Sequence, residues 1–128
     1  MNVLIDTSVW VDHFKHKNDT LISLLLLDQG LSHPMVLGEL ACGTPPEPRA
    51  QTLGDIALLK TARQATWDEV SEFIETHHLF GLGCGLVDIS LLALTLLTPA
   101  ARLWTLDKRL AELAKRFKVD FVPTRIGR

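Results

Sequence analysis

Val3-Leu4-Ile5-Asp6-Thr7-Ser8 decides the reading of this chain. A short apolar run containing β-branched residues predicts a strand buried on both faces, the kind found in parallel sheets. Asp6 falls at its carboxyl end, and Thr7 or Ser8 is placed to cap a helix carrying Val9, Trp10, Asp12, His13 and Phe14. The same order returns late in the chain. Residues 102–106 predict a strand, and Asp107 stands at its carboxyl end. In open parallel sheets, sites lie beyond the carboxyl ends of strands, so Asp6 and Asp107 are expected on the functional edge.

Between these two strands the pattern alternates. Asp19 or Thr20 opens a leucine-rich helix that Gly30 is expected to close, and residues 31–33 suit a short strand. Pro34 suits the first turn of a third helix, in which Leu37, Leu40 and Ala41 recur at helical spacing and Gly43 marks the end. Thr44-Pro45-Pro46-Glu47-Pro48 is a loop, too short for a domain linker. A helix over 49–59 and a strand over 62–66 follow. Thr66 and Glu69 form a capping-box pattern ahead of a helix whose face is Val70, Phe73, Ile74 and His77. Gly81, Gly83 and Gly85 loosen the chain before residues 86–98, which are apolar almost all round and predict a central buried helix. Leu110, Leu113, Ala114 and Phe117 define the last helix, and residues 119–122 a last strand. Strands alternating with helices predict one α/β domain over residues 1–128, with a four- to five-stranded parallel sheet between helices.

The bulk properties fit this. Hydrophobic residues make up 47% of the chain and charged residues 22%, which excludes a disordered segment. No apolar stretch is long enough to cross a membrane, and no basic region precedes an apolar signal stretch, so a cytoplasmic location is expected. Cys42 and Cys84 have no metal or redox spacing and are read as small core or helix residues. The histidine pairs His13/His16 and His77/His78 do not match zinc spacings. Charge is uneven: residues 1–101 hold 5 Lys/Arg against 12 Asp/Glu, and residues 102–128 hold 8 against 3. A basic segment on an acidic body suits a polyanion as partner, and Lys108, Arg109, Lys115 and Arg116 are its candidate nucleic-acid contacts, although a solvated helix face by itself explains most such runs.

Four acids stand in apolar settings: Asp6, Glu39 in Val36-Leu37-Gly38-Glu39-Leu40-Ala41, Asp88 in Leu86-Val87-Asp88-Ile89, and Asp107. An ionised carboxylate is costly to bury without a cation or donors, and no Lys or Arg lies in the first three segments. Singly, Asp6 and Asp107 read as helix caps and Asp88 as a first-turn acid favouring the helix dipole. Glu39, inside its helix, has no cap to make. Taken as a set, clustered hard oxygen donors suit Mg²⁺ or Mn²⁺ and phosphate chemistry.

Leu4-Ile5-Asp6-Thr7-Ser8, a Glu in an apolar helix, Asp88 followed by Leu92-Ala93, and Thr105-x-Asp107, in that order, resemble the PIN domain, and most nearly its VapC-type toxins. The resemblance runs from Val3 to about Val122. It implies a PIN-like three-layer α/β/α fold and a Mg²⁺- or Mn²⁺-dependent endoribonuclease. Asp6, Glu39, Asp88 and Asp107 would be its catalytic acids, with Asp6, Asp88 and Asp107 on the metal and Ser8 and Thr105 as supporting polar groups. It also implies an inhibitory antitoxin and a homodimer. Leu110 stands where many relatives have an aromatic residue, and Lys108 where some have a further acid. Two rival expectations remain at this stage, an RNA-processing nuclease without an antitoxin and a non-catalytic binding module on the same fold.

Overall fold

The computed structural model describes residues 1–123, so the tail arginines Arg125 and Arg128 lie outside the described residues. Four strands, β1 (Asn2–Ile5), β2 (Gly30–Ser32), β3 (Lys60–Thr61) and β4 (Ala101–Trp104), form a sheet in the order β3-β2-β1-β4. Every pairing is parallel, with Leu4 opposite both Leu31 and Leu103. Val3, Leu4 and Ile5 are fully buried, as expected of a central strand covered on both faces. The helices are α1 (Thr7–Lys15), α2 (Asp19–Leu26), α3 (Pro34–Cys42), α4 (Arg49–Ala57), α5 (Trp67–His77), α6 (Leu86–Leu97) and α7 (Lys108–Arg116). They flank the sheet in the PIN-like α/β/α arrangement. The chain grows outward from β1 through β2 to β3, then returns to the other side of β1 with β4. That reversal opens a crevice at the carboxyl ends of β1 and β4, where open α/β sheets place their sites.

Several boundaries moved for identifiable reasons. The strand expected over 62–66 does not form; the two-residue β3 lies just before it, at Lys60–Thr61. Ala62 still donates its N–H to the Ser32 carbonyl at 3.0 Å, but the Arg63 N–H goes to the Thr98 hydroxyl at 3.0 Å, which draws the chain off the sheet. The run 119–122 makes only an isolated bridge, Leu103 to Asp120, so the sheet has four strands. Gly30 does not close α2. Asp28 takes the left-handed conformation there (φ 55°) and pairs with Lys60 Nζ at 3.0 Å, while Gly30 lies buried in β2. At α1, Asp6 occupies the N-cap position, and Thr7 and Ser8 fall inside the first turn.

The expected core is largely present. In α6, residues 89–95 are buried, and the helix packs against α5, α7 and β4. Thr95 satisfies its buried hydroxyl on the Leu91 carbonyl at 2.8 Å. Trp10 and Trp104 are core residues, whereas Trp67 is exposed. Cys42 lies exposed at the end of α3 and Cys84 half-buried before α6; both are free thiols.

His33 holds the helix that carries Glu39. It is buried at the N-cap of α3, where Nδ1 accepts the Met35 N–H at 3.1 Å and Nε2 meets Gln64 Oε1 at 2.8 Å. Only the neutral ring protonated on Nε2 serves both partners. Burial lowers the His33 pKa from its ordinary 6.5, and the Gln64 hydrogen bond opposes this only in part. The unfolded chain therefore binds the proton more readily. His33's contribution is complete above about pH 6.5 and is lost as pH falls towards its lowered folded value. Urea unfolding between pH 7.5 and 5 should show stability falling with pH. His33→Asn, which caps without titrating, should start about 1–2 kcal/mol less stable and show a flatter slope.

Candidate active site at the β1–β4 edge

Asp6 follows β1, is almost fully buried, and has a set of donors built for it. Its Oδ2 accepts the Ser8 hydroxyl at 2.7 Å and the Thr105 hydroxyl at 2.7 Å. Each hydroxyl in turn accepts a backbone N–H, Ser8 from Leu106 at 2.9 Å and Thr105 from Asp107 at 3.1 Å. With its own proton committed to Asp6, each hydroxyl is oriented by a donor behind it. These bonds offset the cost of burying the carboxylate. They also leave Oδ1 without a hydrogen bond among the described residues.

The other acids follow the same rule, with one oxygen spent on the fold. Glu39, exposed on α3, receives the Thr7 hydroxyl on Oε1 at 2.6 Å. Asp107 caps α7, its Oδ1 accepting the Leu110 N–H at 3.0 Å. The capping reading of Asp107 is therefore correct, yet it uses a single oxygen. Asp88 lies in the first turn of α6, steadied by a backbone hydrogen bond from Gly85. Among the described residues the one ion pair is Lys60 with Asp28, so no Lys or Arg neutralises any of the four.

Electrostatics shows that these acids converge. Burial raises the Asp88 pKa first, and the charges of Asp6, Asp107 and, more weakly, Glu39 raise it further against the Gly85 hydrogen bond. Three segments far apart in sequence thus act on one carboxyl. Convergence stops short of closure, because no three of the described His, Cys, Asp and Glu side chains are already gathered to hold a metal ion. The donor chemistry does fit a hard cation: oxygen ligands only, mutually repelling, with an untied oxygen on Asp6, Glu39 and Asp107.

Neighbouring groups have definite places. Burial pushes the Cys84 thiol up, Asp88 and Asp107 add to this, and Arg109 opposes, so the thiol is a poor nucleophile. Gly83, at φ +81°, sits under the Arg109 side chain, where a Cβ would fall 2.5 Å from Nη1. Of the candidate RNA contacts on α7, Arg109 is thus the one beside the acids. Lys108, directly after Asp107, is exposed, as are Lys115 and Arg116 in the last turn, where Arg116 lies over the Phe117 ring at 5.7 Å. Sequence reading missed Thr7 as the partner of Glu39; a second hydroxyl directly after Asp6 was the available signal.

No family model matches the chain. Two curated relatives do, each named Ribonuclease VapC32, from Mycobacterium tuberculosis strains CDC 1551 / Oshkosh and ATCC 25618 / H37Rv. Each is 41% identical over 108 residues, covering 84% of this chain and 86% of the relative. The chain belongs to the VapC family of PIN-domain toxins. As a VapC-type chain it carries Asp6, Glu39, Asp88 and Asp107 around one edge, with Ser8 and Thr105 behind the first acid.

The raised Asp88 pKa has a sign that can be checked. A carboxyl titrating higher in the folded chain favours folding below its ordinary 3.8 and loses that contribution as pH rises through the raised value. At pH 7 the ionised group opposes folding of the metal-free protein. Asp88→Asn should therefore raise the metal-free melting temperature by a few degrees at pH 7, with the gain shrinking towards pH 4. A thermal melt series in EDTA measures this; a fall at pH 7 would instead make Asp88 a structural residue.

Proposed function

We propose that this chain is a metal-dependent endoribonuclease and the toxin of a type II toxin–antitoxin pair, hydrolysing RNA phosphodiesters with an activated water. The observation that carries this reading is the acidic quartet at the β1–β4 edge, where among the described residues no basic side chain forms an ion pair with any member. Relatives that bear the name ribonuclease support it. Asp6, Asp88 and Asp107 would hold Mg²⁺ or Mn²⁺, which when bound polarises a phosphodiester oxygen and lowers the pKa of a bound water. Asp6 offers Oδ1, because Ser8 and Thr105 occupy Oδ2. Glu39 offers its untied oxygen to orient the attacking water, and Thr7 keeps that carboxylate facing the other acids. Attack in line with the 3′ oxygen needs no side-chain nucleophile, in keeping with the protonated Cys84 thiol.

The surfaces are compatible with the partners that the resemblance implies. Lys108, Arg109, Lys115 and Arg116 hold the RNA backbone, with Arg109 nearest the cut. An apolar helix of a VapB-like antitoxin occupies the groove of about 200 Å³ lined by Trp10, His13, Leu25, Ile56 and Leu59, near the exposed Leu26 and Leu27. Trp10 reaches this groove from the core, where it is almost fully buried. The toxin acts in the cytoplasm as a homodimer; among the described residues no helix is long and apolar enough to cross a membrane.

RNA cleavage should vanish in EDTA and return with Mg²⁺ or Mn²⁺, and Asp6→Asn should abolish it while the protein stays folded. Cleavage that persists in chelator would sink the mechanism. Thr7→Val, which keeps the shape and removes the donor to Glu39, should lower kcat about tenfold with KM unchanged, and Thr7→Ser should restore it. Unchanged kcat in Thr7→Val would remove Thr7 from the site.

A further inference from the structure

We propose that the cleft between α1, the carboxyl end of α3 and the loop 43–46 holds one nucleobase of the RNA strand, beside the phosphate that is cut. The inference rests on the ribonuclease reading above and adds a substrate subsite to it. The cleft has a volume of about 420 Å³, within the range of small-molecule pockets. Phe14 and Lys15 line it from α1, Glu39 and Leu40 from α3, and Pro45 and Pro46 from the loop. One of its walls is thus a member of the acidic quartet, so a group seated here is adjacent to the reacting phosphate.

The cleft is preformed. Pro45 is buried. Arg49 reaches back to the Ala41 carbonyl at 2.7 Å and the Gly43 carbonyl at 3.4 Å, and the Thr52 hydroxyl holds the Pro46 carbonyl at 2.9 Å. The loop wall is therefore fixed by α4, which reduces the ordering cost of binding. The lining is mainly apolar, with a ring, two prolines and a leucine for a planar base. Its charges sit apart: Glu39 belongs to the acids, and Lys15 is exposed and in no ion pair among the described residues, free for a phosphate of the same strand. An apolar slot with a single cation at its rim matches a nucleotide better than an apolar helix. Single-stranded RNA is commonly read in this way, by splaying a base onto apolar and aromatic side chains. The consequence is a base preference at one position flanking the cut.

The test uses the full chain in EDTA, which keeps RNA intact under the proposed mechanism. Amide NMR titrations with the four nucleoside 5′-monophosphates should shift Phe14, Lys15 and Thr44, most strongly for one base, while ribose 5-phosphate should leave Phe14 and Thr44 unmoved. Thr44 is exposed at the rim, so Thr44→Trp fills the cleft without disturbing the core. It should abolish the nucleotide shifts and weaken RNA binding about tenfold at an unchanged melting temperature. Lys15→Gln should weaken binding and reduce the salt slope by about one. Equal shifts with ribose 5-phosphate, or unaltered RNA affinity in Thr44→Trp, would overturn the proposal. A cleft that ignores nucleotides while Thr44→Trp lowers capture of a co-expressed antitoxin would be a protein groove, which also overturns it. RNA cleavage by the wild type, assayed separately with metal, tells a failure of the ribonuclease reading from a failure of the subsite.

Discussion

Asp6 Oδ2, with two hydroxyls aimed at it, is the constraint on which the rest of the site depends. Ser8 comes from the turn after β1 and Thr105 from the turn after β4, and each is oriented by a backbone N–H of the second turn. The network therefore fastens two chain reversals that lie about a hundred residues apart. It also decides where α7 begins, because the N–H of its cap, Asp107, is already held by Thr105. In a buried setting such a network is strong when complete and costly when one member is missing, roughly 1–3 kcal/mol for a carboxylate that loses a donor.

From this point the fold works against its own electrostatics. The sheet order sets β1 beside β4, and the buried helix α6 brings Asp88 to the same edge. The hydrogen bond from Thr7 draws Glu39 in from α3. Four like charges are thereby held near one another, and none has a basic partner among the described residues. A purely structural surface would disperse or pair them. Strain of this kind is retained where a function needs it.

The same geometry divides the surface by chemistry. The acids face the crevice at the sheet edge, and the basic residues of α7 stand beside it, with Arg109 laid across Gly83 because that position has no side chain. On the far side of Glu39, α1 and the proline loop enclose an apolar cleft, and α1 with α2 and α4 frames a second groove. Phe14 lines both, so α1 separates a surface suited to a nucleotide from one suited to a helix.

The sequence by itself determined the elements with the strongest local patterns. The apolar run of β1, the all-round apolar α6, the capping box of Thr66 and Glu69 and the start of α3 at Pro34 are where their spacing put them. These signals come from backbone geometry and neighbouring side chains, so they survive without knowledge of the fold. The four acids were legible as a set because each interrupts or ends an apolar segment, and the first three have no Lys or Arg in that segment. What the sequence left open was decided at long range. Strand β3 ends where the Arg63 N–H finds the Thr98 hydroxyl, 35 residues away, and the last apolar run reduces to a bridge. Which oxygen of each acid is tied, that Thr7 rather than Ser8 serves Glu39, and that His33 caps α3 only as a neutral ring all depend on partners remote in the chain. Hydrogen-bond partners at such separations are fixed by strand order and helix packing, and no local window of residues contains them.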